Sequence, residues 1–182
     1  MFRRLGAFFL DILEVVVFAI GIFFFLYLLV LRPHKIKGAS MMPNYPDGEY
    51  LLTEKVSYYL ESPKRGDVVV FKPPVSEDEY IKRIIGLPSE TISVNNGKIY
   101  INNQILNEKY IDGVIYTDGS SYLQEGQSIT VPEGQYFVVG DNRPHSYDSR
   151  SWGPIKKSVI TGRAWVVYWP PKNAGSVKKP EY

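Results

Sequence analysis

Thr91-Ile-Ser-Val-Asn-Asn-Gly-Lys-Ile-Tyr-Ile101 reads as two short strands around an Asn-Gly turn. Apolar and polar side chains alternate in both arms, which is the period of a strand with one buried face. Asn-Gly supplies the backbone angles that a tight hairpin demands. Working outward, the same grammar recurs. Glu49-Tyr-Leu-Leu-Thr-Glu54 follows a Pro46-Asp47-Gly48 turn, and Val68-Val-Val-Phe71 follows Lys64-Arg-Gly-Asp67. Tyr80 to Ile85 closes at Gly86-Leu87-Pro88, Gln104-Ile105-Leu106 follows an Asn102-Asn103 turn, and Gln135-Tyr-Phe-Val-Val139 and Ile160 to Trp169 complete the set. These runs predict strands, the continuous apolar ones being buried. Only Ser57–Leu60 hints at a helical turn here. Residues 107–128 are polar and rich in Gly, Ser, Asp and Tyr, and predict a mobile surface excursion. No period of 20–50 residues recurs, so this is not a repeat protein.

The N-terminal end has a different pattern. Residues 1–6 are short and basic, and Ala7 to Leu31 is apolar apart from Asp11 and Glu14. A bilayer core of roughly 30 Å needs about 20 apolar residues as helix, and 8–31 meets that. A cleaved secretory signal is the competing reading. The run is longer than usual signal cores and no small-x-small site closes it; Arg32-Pro33 stops the helix instead. Basic residues lie on both sides (Arg3 and Arg4; Arg32, Lys35 and Lys37), so flanking charge does not set orientation. The predicted organisation is a short N-terminal segment (1–6), a transmembrane anchor (7–31), a mainly β domain (32–170) and a flexible basic tail (171–182).

Composition narrows the function. A net charge of +2, with lysines and arginines scattered among acids, gives no basic block, so nucleic acid is not an expected partner. The absence of Cys excludes thiol catalysis, disulfides and cysteine-based zinc sites. His34 and His145 are too few for a histidine metal site, so neither metal nor cofactor is expected.

Three places have chemistry to offer. In Gly38-Ala39-Ser40-Met41-Met42-Pro43 one hydroxyl is framed by a Gly free to take unusual backbone angles and by deformable apolar side chains. Taken alone, Ser40 is a surface hydroxyl in a turn after a helix. Lys82 shares a strand face with Tyr80 and Ile84, opposite Ile81 and Arg83. There it is either an edge-strand gatekeeper or a buried amine, whose lowered pKa suits it to take a serine proton. The loop Gly140-Asp-Asn-Arg-Pro-His-Ser-Tyr-Asp-Ser-Arg150 packs acids, arginines, serines and a His behind a buried strand. Most of such a loop satisfies itself, bracing a site rather than reacting.

Together these segments resemble the bacterial type I signal peptidases of the small, single-anchor Gram-positive sort. Ser40-Met41-Met42-Pro43 is similar to the family's nucleophile motif and Arg65-Gly-Asp-Val-Val-Val-Phe71 to its first buried strand. Lys82-Arg-Ile-Ile-Gly-Leu-Pro88 is similar to its general-base motif. Gly140-Asp141-Asn142-Arg143 with Ser146, Asp148, Ser149 and Arg150 is similar to its last motif. The resemblance implies a mostly antiparallel, barrel-like β catalytic domain behind one transmembrane helix, with a groove that takes the preprotein as an extended strand. It implies a serine endopeptidase at the cell membrane, N-terminus cytoplasmic and catalytic domain outside, that removes signal peptides from secretory preproteins. By the same resemblance Ser40 is the nucleophile and Lys82 its neutral base, and Ser146 hydrogen-bonds and orients the lysine amine. Asp148 and Arg150 pair, Asp141 and Arg143 support them, Met41 lines the groove, and Gly38 leaves the oxyanion to backbone N–H groups, chiefly that of Ser40. The rivals are a Ser-His-Asp triad through His145, an autocleaving repressor, which would need a DNA-binding segment, and an inactive membrane-tethered β binding domain.

Overall fold

The computed structural model describes residues 2–111, 116–180 and 182. It divides into two compact units, Met1–Arg32 and Pro33–Tyr182. The first is built on helix α1 (Phe2–Val30). Within it Phe8–Phe25 is long and apolar enough to cross a membrane by length and composition, and none of that stretch is buried by the protein. The helix ends two residues before the Arg32-Pro33 step.

The second unit is antiparallel β. Its strands are β1 (Leu31–Lys35), β2 (Tyr50–Glu54), β3 (Val68–Phe71), β4 (Tyr80–Gly86), β5 (Thr91–Asn95), β6 (Lys98–Ile101), β7 (Gln104–Ile105), β8 (Ser128–Thr130), β9 (Gln135–Val139), β10 (Ile155–Lys156), β11 (Ile160–Trp169) and β12 (Gly175–Ser176). Two short helices, α2 (Ser57–Leu60) and α3 (Ser149–Trp152), join them. One sheet runs β1-β2-β11-β3-β4-β9-β10 with β12 on β11; the other runs β7-β6-β5-β8. The hairpin register is as the alternation dictates: Asn95 faces Lys98, and Asn96 (φ 50°) and Gly97 (φ 75°) make the two-residue turn in the left-handed region.

Three apolar clusters hold the unit together. Ile85, Phe137 and Val139 of the large sheet meet Ile92, Val94, Ile99 and Ile101 of the small one. Val68, Val70 and Ala164 pack on Ile36, Met41, Tyr45 and Leu51. Val69, Phe71, Ile84 and Val138 pack on Tyr58, Tyr136, Ile155 and Ile160. β3 contributes to two clusters, so all four of its side chains are buried, as the unbroken Val-Val-Val-Phe run requires. Each such side chain contributes about 1.5–3 kcal/mol on burial. This core offsets the charged groups buried beside it.

Two sequence expectations need correction. Segment 107–128 is not a loose excursion where it is described: Ile111, Thr117 and Leu123 are buried, and Ser128–Thr130 is strand β8. Residues 112–115 lie outside the described residues. Nor is 171–182 a free tail. β12 pairs with Val166 and Val167 of β11, the Val177 N–H donates to the Trp165 carbonyl (2.9 Å), and the Tyr182 ring lies 5.9 Å from that of Tyr110. The reason is geometric. β11 has ten residues, and the shorter β3 pairs with it only as far as Arg163. The remaining half of that edge is open, and the chain's own next segment fills it.

Candidate active site

Ser40 sits in a tight turn directed by its neighbours. Gly38 takes φ +85°, open to it because it has no Cβ, and its N–H donates to Asp47 Oδ1 (2.6 Å). The turn continues with Met42 N–H to the Ala39 carbonyl (3.1 Å) and Tyr45 N–H to the Met41 carbonyl (2.9 Å). Met41 thereby enters the core and is fully buried. It does not line the groove as expected; Gly38, Ala39 and Ser40 do.

Lys82 comes from the middle of β4, paired with Val69 of β3. It is a buried amine, 4% exposed, and so not an edge gatekeeper. Its Nζ lies 2.8 Å from Ser40 Oγ, donates to its neighbour's carbonyl at Ile81 (2.9 Å) and stands 5.3 Å from the centre of the Tyr80 ring. Burial pulls its pKa from 10.5 down to about 8, against an upward pull from the carboxylates of Asp148 and Asp141. The pair opens onto a cleft of about 530 Å³ between segments 34–40 and 78–82, with His145 and Tyr147 at its side. The ring Nδ1 of His145 is 3.2 Å from Asn142 Oδ1; among the described residues it makes no hydrogen bond to Ser40.

Loop 140–150 stands behind the pair, on the C-terminal end of β9. Asp148 is its hub. The carboxylate caps α3 through the Arg150 N–H (3.1 Å), pairs with the Arg150 guanidinium (2.9 Å to each oxygen), and accepts from Ser146 Oγ (2.7 Å) and the Gly140 N–H (3.1 Å). The Asp148–Arg150 pairing is as expected. Ser146 is not where the resemblance puts it: its hydroxyl donates to Asp148, and Lys82 turns to Ser40 and the Ile81 carbonyl.

Asp141 and Arg143 do not pair with each other. Asp141 receives two bonds from the Arg83 guanidinium (2.8 and 2.7 Å) and one from Asn44 Nδ2 (2.9 Å). Arg143 pairs with Glu108 and donates to Thr117 Oγ1 (2.9 Å), the Gly140 carbonyl (2.9 Å) and Tyr110 OH (3.1 Å). Arg83 also lies over the Tyr110 ring (4.2 Å). Burial pulls the Arg83 pKa down, and the bonds to Asp141 more than restore it. Sequence reasoning missed Arg83, Glu108 and Asn44. The alternation that set Arg83 opposite Lys82 was the available signal for the first: a charge on the other face of a buried strand needs a partner. Nothing local marks Glu108. Among the described residues no group of three or more His, Asp or Glu is gathered for a metal ion.

A buried lysine bonded to a serine in a cleft is an arrangement in which the neutral amine can take the proton of the hydroxyl. The family model and the curated relatives show the family. Residues 9–169 match the family model described as signal peptidase, peptidase S26. A probable signal peptidase I-2 of Synechocystis sp. is 39% identical, over 88% of this chain and 71% of that protein. A signal peptidase I of Leptolyngbya laminosa is 38% identical, over 91% and 80%. A solved signal peptidase I structure from Enterococcus faecalis is 34% identical, with a TM-score of 0.46, over 57% of this chain and 97% of that one. The chain belongs to the signal peptidase family and is a serine peptidase. Similar proteins come from cyanobacteria, Bacillus and plastids, so they do not single out the Gram-positive sub-type.

Proposed function

We propose that the protein is a membrane-bound endopeptidase that cleaves signal peptides from exported preproteins with Ser40 as nucleophile and Lys82 as base. The observation that carries this is the 2.8 Å approach of the Lys82 amine to Ser40 Oγ inside a cleft. The neutral amine accepts the Ser40 proton as Oγ attacks the scissile carbonyl carbon. The tetrahedral oxyanion is met by the Ser40 N–H. The ammonium of Lys82 returns the proton to the leaving amine, the C–N bond breaks, and the signal peptide remains as an ester on Ser40. Lys82, neutral again, then takes a proton from water as its oxygen attacks the ester carbon; the ester C–O bond breaks, the Lys82 ammonium returns the proton to Ser40 Oγ, and the signal peptide leaves with a free carboxyl group. Ser146, Asp148 and Arg150, with Asp141 and Arg143, position this pair and do not touch the substrate. The family resemblance supplies the substrate preference, small residues at the first and third positions before the cut. Helix α1 anchors the chain in the bilayer, N-terminus cytoplasmic, with the β unit outside.

In a preprotein-cleavage assay Ser40→Ala, Lys82→Ala and Lys82→Arg each abolish processing, since a guanidinium offers no lone pair at neutral pH. His145→Ala retains most activity. A dead His145→Ala beside an active Lys82→Ala would replace the dyad by a triad. The rate rises through about pH 8, the pKa of the buried amine, by about tenfold between pH 7 and pH 9 as the neutral fraction grows. A flat profile over that range would argue against a lysine base.

A further inference from the structure

The nucleophile turn is held from outside by one residue. Asn142 Nδ2 donates to the Ala39 carbonyl (3.0 Å), and the Asn142 N–H donates to the Ser40 carbonyl (3.0 Å). Two successive carbonyls, 103 positions away in sequence for the first of these bonds, are thus gripped by one asparagine, once by side chain and once by backbone. Its amide oxygen faces His145 Nδ1, which leaves the NH₂ turned toward Ala39. Gly140 presses on the same spot: a Cβ there would come within 2.5 Å of the Ser40 carbonyl oxygen and overlap the Ser146 hydroxyl.

The consequence lies on the opposite edge of the peptide plane. In a trans peptide the carbonyl of residue 39 and the N–H of residue 40 point in opposite directions. The Ala39 carbonyl is fixed toward Asn142 and the Met42 N–H. The Ser40 N–H therefore points away from the 140s loop, and among the described residues nothing accepts from it. We infer that Asn142 is a positioning residue for the peptidase reaction, clamping peptide 39–40 so that the Ser40 N–H is presented to the developing oxyanion while Oγ stays in reach of Lys82. This rests on the reading of Ser40 as the nucleophile. Without the side-chain grip the Ala39 carbonyl keeps only its bond from the Met42 N–H, the plane is held less tightly, and a donor that must be preorganised has to be ordered during the reaction.

The test uses the full-length chain in detergent and a fluorogenic peptide spanning a signal-peptide cleavage site. Asn142→Ala and Asn142→Asp both lose the side-chain donor and keep the backbone N–H. The Asp variant also keeps the size. Each is expected to lower kcat by about 10- to 100-fold, below the loss of a whole oxyanion donor. KM stays within about twofold and the melting temperature is unchanged; the pH midpoint of the Ala variant stays at that of the parent, whereas the added carboxylate of the Asp variant moves it upward. Acylation by a serine-directed fluorophosphonate falls in the same proportion as kcat. Variants with parental kcat overturn the inference. So does a loss carried by KM alone, a shifted pH midpoint in the Ala variant, or a loss of fold in both variants, which makes Asn142 merely structural. Ser40→Ala separates the two levels. If it is active, the nucleophile reading fails; if it is dead while both Asn142 variants match the parent, only the clamp fails.

Discussion

Lys82 shows what one residue costs and provides. Holding its pKa at about 8 instead of 10.5 costs the folded state about 3 kcal/mol below pH 8, at about 1.4 kcal/mol per unit. The sign follows from proton counting. Between pH 8 and 10.5 the unfolded chain binds the lysine proton and the folded one does not, so stability rises with pH across that window. Below it the cost is complete, and above it the cost is gone. Lys82→Met, which fills similar space without the charge, is therefore expected to abolish activity yet raise the unfolding free energy by up to about 3 kcal/mol at pH 7. Urea melts at a series of pH values should show that gain shrinking toward zero as pH passes about 10. A variant no more stable than the parent at pH 7 would mean the amine is not desolvated. That Lys82 is buried was open in the sequence. The motif around it pointed to a base, whereas the strand pattern alone allowed an edge position.

At the level of elements, the site is a loop bolted to a strand. β4 presents Lys82 to Ser40 and, one residue on, Arg83 to Asp141, both ends of that pair at 2% exposure or less. Loop 140–150 is thereby tied to the strand that carries Lys82. Removing one partner of a buried pair strands the other charge and typically costs 3–5 kcal/mol. Asp141→Asn and Arg83→Met should each lower stability by about that much in thermal or urea melts. The double variant is expected to recover part of the loss, and a strictly additive double would argue against direct pairing. Activity in either single variant should fall with the loop's order. The element boundaries were largely legible: Val68–Phe71, Gln135–Val139 and Ile160–Trp169 begin and end where their apolar runs do. The partners within the loop were not. Asp141 and Arg143 stand close together in sequence with opposite charges, but the backbone between them turns so that each finds its counterion on another segment, Arg83 and Glu108.

For the molecule as a whole, the segment after Trp169 is part of the fold. It completes the β11 edge, Val177 packs against the cluster that contains Met41, and Tyr182 covers Arg65 (6.0 Å from the ring) and Tyr110. Burial raises the Tyr182 hydroxyl pKa to about 12. Deleting residues 171–182 should cost about 2 kcal/mol, the worth of one apolar side chain and an opened strand edge. For a unit of this size that is about 4–8 °C in melting temperature. Differential scanning calorimetry of the truncated chain checks it, and an unchanged melt would return the segment to the status of a loose tail. Its polar, proline-rich composition gave no sign of this, because the vacancy that Val177 and Tyr182 help to fill lies elsewhere on the sheet.

What the sequence alone determined is local: the apolar helix, the alternation that makes the β strands, the Asn-Gly hairpin, and the motifs that place Ser40, Lys82 and loop 140–150 in one family. These follow from side-chain periodicity, turn chemistry and motif order along a contiguous chain. What only the tertiary structure decided is which groups face each other. Pairing of β2, β11, β3 and β4 brings Lys82 to Ser40, pairing of β4 with β9 puts Arg83 on Asp141 and Asn142 on the Ser40 turn, and packing sets Glu108 on Arg143 and takes Met41 into the core. Those contacts join positions tens of residues apart, and a buried charge takes whichever counterion the packing brings within reach, a choice that no single stretch of sequence contains.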